Sequence, residues 1–250
     1  MSESMSKSGI WRTVHVAVAS AISALVMPLL ALTVAFLGDE WYEAGFEDVE
    51  FWVMAVIVVV AVGIFAYLFP AERYTPTPRA SRIAAVAAAA AGGFAGVMTS
   101  TAEHFGIALF LMMTALIAGG FLYEMLREKR ENLIRSLSFI IFMGTLGLVC
   151  SGWMTTSLAV DYLLPHPRIT VAAAIFVVLG VVAISACVAL WSRDAQTETE
   201  KDSAVKSEAG EDSEGVVYAS PVWGYSGVAA LLSGIFPLVI VLMFGVWESL

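Results

Sequence analysis

The sequence predicts an all-α integral membrane protein: seven transmembrane helices, N-terminus inside and C-terminus outside, with no soluble domain. Three observations lead there. Hydrophobic residues fill 59% of the 250 positions and charged residues only 14%, more apolar surface than one soluble core of this length can hide. Apolar stretches of 18 or more residues recur along the chain, and at 1.5 Å per helical residue each can cross roughly 30 Å of hydrocarbon. The basic residues then sort onto one side of the resulting topology.

In order, the spans fall at about 11–37, 51–69, 83–101, 105–126, 135–158, 169–191 and 223–247. Lys7 and Arg12 ahead of an apolar run imitate a signal peptide, but 14–37 exceeds an ordinary signal core, so an uncleaved first span is expected. Pro28 inside span one and Pro237 inside span seven each remove a helical hydrogen bond and are expected to bend their helices. Residues 38–50, GDEWYEAGFEDVE, read as an outer acidic loop anchored by its aromatics. Pro70, Pro76 and Pro78 close span two and stiffen the connection to span three.

Span three is the expected central packing helix. Ala85, Ala89 and Gly93 recur every four residues, and Gly92 and Gly96 form a GxxxG, a pattern that lets a neighbouring backbone approach closely. Between spans four and five, Tyr123 to Ser136 reads YEMLREKRENLIRS. Glu124 and Glu128 lie four apart, as do Glu131 and Arg135, which predicts two helices extended past the membrane as an inner hairpin. Pro165 and Pro167 make a tight outer turn after span five. Residues 192–220 are rich in acidic residues, Ser, Thr, Lys and Gly, and are expected to form a mobile acidic cytoplasmic loop. Ser203, Ser207 and Ser213 are phosphate acceptors if that loop is regulatory.

With seven spans, the N-terminus and the loops after spans two, four and six share one side. That side holds 12 of the 13 basic residues, all but Arg168. This asymmetry predicts the N-inside orientation. The tryptophans suit it, with Trp11, Trp191 and Trp223 at the inner boundary and Trp41, Trp52, Trp153 and Trp247 at or near the outer one.

The net charge of −9 and the lack of a basic, aromatic-interleaved face exclude a nucleic-acid partner. The acidity is local: six acids lie between Asp39 and Glu50, and eight between Asp194 and Glu214. Cys150 and Cys187 sit in apolar helices, with no spacing for a metal knuckle or redox pair. No Asp, Glu, Lys or Arg falls near the middle of a span, which argues against a proton-coupled antiporter or voltage sensor. His15, one turn into span one, has a structural role at the headgroups. The last span has no Lys, which excludes a retinal Schiff base. No catalytic motif, cofactor or metal is expected.

The outer side carries the one candidate site, formed by Thr99, Ser100, Glu103 and His104 at the end of span three with Thr155, Asp161 and His166 at the end of span five. Two carboxylates and two imidazoles on one side suit an acid–base pair or divalent ion, and the hydroxyls suit a polar outward pocket if spans three and five are neighbours. Hydroxyls on membrane helices equally bond their own preceding carbonyls.

Residues 121–138, FLYEMLREKRENLIRSLS, and 151–159, SGWMTTSLA, together resemble small multi-pass actinobacterial membrane proteins of uncharacterised function, in which an aromatic-rich span end, a basic turn and a Ser-rich helix follow in this order. The resemblance implies a bacterial plasma membrane and supplies no catalytic residues. Two functions follow as expectations. The first is a structural or accessory subunit of a larger membrane assembly, whose partners are the lipid bilayer and other membrane proteins. The alternative is a small permease or lipid-handling protein with an outward-facing pocket between helices 3 and 5.

Overall fold

Backbone placed in hydrocarbon has no water to bond, so apolar runs of this length satisfy their N–H and C=O groups internally as helices. A computed structural model of the chain describes residues 2–43, 49–99, 102–127, 132–208 and 221–248, with side chains at 14–37, 49–99, 103–127, 132–191 and 226–243. The elements are α1 (Ser2–Glu43), α2 (Val49–Leu68), α3 (Pro78–Met98), α4 (Ala102–Leu126), α5 (Leu133–Cys150), α6 (Thr156–Leu163), α7 (Pro167–Glu208), α8 (Pro221–Leu232) and α9 (Ile235–Glu248). Short 3-10 turns occupy Ala71–Arg73 and Ser151–Thr155. Among the described residues there is no strand, and seven helical segments are long and apolar enough to cross a membrane.

Helix α1 buries Val16, Ser20, Ala24, Met27, Ala31 and Val34, spaced three and four apart, so one stripe faces its neighbours α8 and α7. Helix α3 packs most extensively on α5 and α2. Ala85 and Ala89 are fully buried, and Gly147 of α5 lies so close that a Cβ there would collide with the Ala85 carbonyl. A Cβ on Gly93 would stand 3.2 Å from that of Ala55 on α2, and one on Gly96 would stand 2.8 Å from Met154. Gly92 lies beneath Ser151. Helices α4 and α7 are peripheral: 11% of the apolar window of α4 and 17% of that of α7 are buried, against 50% across Leu133–Leu163.

Two spans are interrupted where the sequence predicts continuous helix. Span five is α5, a 3-10 turn and α6, and span seven is α8 and α9 separated at Ser233–Gly234. Each break holds a Ser-Gly pair, Ser151–Gly152 and Ser233–Gly234, and the two breaks lie against each other. A Cβ on Gly152 would collide with the Gly234 carbonyl, and one on Gly234 with that of Val149. The backbone tightens where the hydroxyls supply substitute donors: Ser151 to the Leu148 carbonyl at 2.6 Å, Thr155 to Gly152 at 2.8 Å, Thr156 to Trp153 at 2.7 Å and Ser233 to Ala230 at 2.5 Å. Pro237 therefore does not bend a continuous span. It lies in the first turn of α9, where its missing N–H costs little.

Three connections also differ from expectation. Helix α4 ends at Leu126 and α5 starts at Leu133, so the hairpin is shorter than predicted, with 128–131 outside the described residues. Helix α1 continues through Glu43 into the expected acidic loop. Helix α7 runs to Glu208, so 192–208 are helical and the rest of the expected loop, 209–220, lies outside the described residues. A helix nucleated in the membrane extends at the cost of propagation alone, and Asp202 and Lys206 are spaced for an i,i+4 pair.

Candidate functional site

At the basic end of the bundle a buried carboxylate is held by one arginine and a chain of hydroxyls. Glu124, in the last turn of α4, is fully buried, the only acidic or basic side chain among the described residues that is. The sequence pattern puts it on a solvated hairpin, but the early end of α4 turns it in toward α5 instead. Ser136, in the first turn of α5, donates to its Oε1 at 2.5 Å, and Arg127 Nη1 donates to its Oε2 at 3.3 Å. Ser136 is itself fully buried and bonds through its Oγ to Thr77 Oγ1, the N-cap residue of α3. Thr75 Oγ1 lies 3.2 Å from Thr77 Oγ1 and accepts from the Thr77 N–H at 3.2 Å.

Each hydroxyl has one proton, which fixes the direction of this chain. The Ser136 proton goes to Glu124, so Ser136 accepts from Thr77, and Thr77 accepts from Thr75. All the donors point at the carboxylate, so the network ties α3, α4 and α5 together around one negative charge.

Two arginines fasten the segment between α2 and α3. Arg135 donates from Nε to the Tyr74 carbonyl at 2.7 Å and from Nη2 to that of Arg73 at 2.8 Å. Arg82 Nη2 reaches the Phe69 carbonyl at 3.2 Å and Glu72 Oε1 at 2.9 Å. These carbonyls end α2 and the following 3-10 turn, where helical donors run out. Beneath them Tyr74 stacks on Phe139 with ring centres 5.7 Å apart, and Phe69 packs against Tyr74, Phe139 and Trp191. Asn132, at the N-cap position of α5 without a side-chain capping bond, takes the left-handed conformation at φ 55° that its short amide tolerates.

The residues predicted to form an outer site are placed as follows. Thr99 donates to the Ala95 carbonyl of its own helix at 2.8 Å, and Ser100 lies outside the described residues. Glu103 and His104 are exposed in the first turn of α4, so they belong to the helix after the one assigned to them. Thr155 is buried in the 3-10 turn and bonded to Gly152. Asp161 is exposed on α6, and His166 is exposed with Nδ1 3.2 Å from the Tyr162 carbonyl. Among the described residues no group of three or more His, Cys, Asp or Glu is arranged to hold a metal ion. His15 is exposed, and Cys150 and Cys187 are free thiols, the first buried and the second exposed.

Trp153, expected at or near the outer boundary, is packed inside the bundle beside Glu50 at the start of α2. It is buried with Nε1 unpartnered, beside a space of about 10 Å³ lined by Glu50, Met54 and Thr156. That is about one water's worth of room. The Ser-Gly pairs were the readable signal for the breaks. The buried network had a weaker one: a Glu three positions before a basic residue at a span end, with Ser on the next helix.

Comparison with family models, with curated proteins and with solved structures returned no match.

Proposed function

We propose that this chain is a structural or accessory subunit of a larger membrane assembly, non-catalytic, oriented N-inside and C-outside in a bacterial plasma membrane. The observation that carries the reading is the use made of Glu124: the only fully buried charged side chain among the described residues is held by donors from α4 and α5 and binds helix to helix. A transporter keeps such a group to bind and release cargo, whereas a scaffold keeps it to fix an arrangement. The permease alternative needs room between α3 and α5, and there Gly147 lies directly against the Ala85 backbone. Helix α7 adds a means of contact. It extends 17 residues past Trp191, from 191 to 208, about 25 Å at 1.5 Å per residue, over a sequence with five acids.

Native mass spectrometry after mild solubilisation from the cells that make the protein tests this. A complex of fixed stoichiometry with another membrane protein is expected, and removal of 194–208 should release the partner while leaving the bundle folded. Full recovery of the chain alone would sink the proposal.

A further inference from the structure

A crevice of about 350 Å³ opens on the flank of the bundle at the basic end, between α3, α4 and α5. Its walls are Ile83, Ala84, Leu116 and Ile140, and Gly119 and Gly120 of α4 form a floor without side chains. A Cβ on Gly119 would meet nothing within 4 Å, so the space there is real and not filled by a neighbour. Arg79 and Tyr123 stand on its rim, both exposed.

Arg79 differs from the other arginines of this end whose side chains are described. Arg82, Arg127 and Arg135 bond carbonyls or carboxylates of the chain, and Arg73 also has a partner. Arg79 has no hydrogen bond or ion pair among the described residues. A cation at a helix end, level with the headgroups and above an apolar slot, complements a molecule with an anionic head and a hydrocarbon tail. Tyr123 adds a hydroxyl donor at the same level.

We infer that this crevice is a binding site for an anionic phospholipid, with the headgroup phosphate on Arg79 and Tyr123 and one acyl chain along Gly119 and Gly120 between α3 and α4. It does not depend on the subunit role proposed above. The lipid would fill the gap beside the Glu124 network and complete the packing of α4, the least buried of the seven spans.

The test is native mass spectrometry of the full chain released from vesicles of equal phosphatidylglycerol and phosphatidylcholine, comparing wild type, Arg79→Gln, Gly119→Leu and Gly63→Leu. Gly119→Leu fills the crevice without a clash, and Gly63 on α2 is equally open but lines no part of it, so it controls for the added bulk. Wild type and Gly63→Leu are expected to retain one phosphatidylglycerol in at least tenfold preference to phosphatidylcholine. Arg79→Gln should lose the preference, and Gly119→Leu should lose the retained lipid. Equal retention of the two lipids by wild type, unchanged behaviour of either crevice variant, or a second copy of the chain held in place of lipid would overturn the assignment. Thermal unfolding of each variant in detergent establishes that it is folded, and if Gly119→Leu does not fold, Gly119→Val takes its place.

Discussion

The two ends of the bundle use similar polar side chains in opposite ways. At the basic end, hydroxyls and arginines reach across elements: Ser136 to Glu124, Thr77 to Ser136, Arg135 to the Arg73 and Tyr74 carbonyls. Toward the other end, Thr99, Ser151, Thr155 and Thr156 each donate three or four residues back along the chain. The first arrangement fixes helices relative to one another. The second repairs the backbone of a single span where it tightens or ends. A count of Ser and Thr per span cannot distinguish them, because the choice depends on whether a partner atom from another helix lies within about 3 Å.

If that contrast is right, substitutions should separate the two ends by stability. The largest effect is expected for Glu124→Ala, which leaves the buried Ser136 without its acceptor and the partly exposed Arg127 without its carboxylate and should cost about 3 kcal/mol or more, read as a fall in the detergent unfolding midpoint and loss of monodisperse protein. Glu103→Gln, at the exposed start of α4, should stay within about 0.5 kcal/mol. Equal losses at the two positions would break the comparison.

Next comes the seam that joins the ends. Gly147→Leu pushes a side chain into the Ala85 carbonyl and should cost about 3 kcal/mol, the upper end for overpacking. At Gly93 a new Cβ first meets the Ala55 methyl, at 3.2 Å, with the Ala55 Cα at 3.5 Å, so Gly93→Leu should cost less; a ranking of midpoints for the two variants decides it.

The sharper pair is Ser136→Ala against Thr155→Val. Losing Ser136 unpairs a carboxylate oxygen and a threonine on two other elements, expected at about 1–3 kcal/mol. Losing the Thr155 hydroxyl removes one donor to its own helix, expected at about 1 kcal/mol or less. Arg135→Lys is expected at about 1 kcal/mol, because an ammonium cannot span both carbonyls that the guanidinium reaches. Faster proteolysis between residues 69 and 78 is its readout. A Lys variant that matched wild type would show that the two carbonyls need no common donor.

Much of the fold was legible because a bilayer reduces the problem to length and apolarity. Any run of about 20 apolar residues must be a helix there, and the seven segments fall where the hydropathy puts them. The site was far less legible. Glu124 and Glu128 at i,i+4 have the spacing of a solvated face, and nothing local says that α4 stops at Leu126 and turns Glu124 inward. Glu103 and His104 read as the end of span three because they continue its polar run of Thr99, Ser100 and Thr101, yet α3 ends at Met98 with Thr99 extended, and both residues lie in the first turn of α4.

The sequence alone determined the number of spans and where the prolines end them, since both follow from transfer energy and from proline's missing N–H. It also carried the small residues of α3, Ala85, Ala89 and Gly93, although not the backbone that lies against them. Tertiary structure decided that Gly147 meets Ala85, that two Ser-Gly breaks meet at Gly152 and Gly234, and that one carboxylate joins three helices. Those outcomes depend on which helices are neighbours and at what rotation, and neither is encoded in any single stretch of chain.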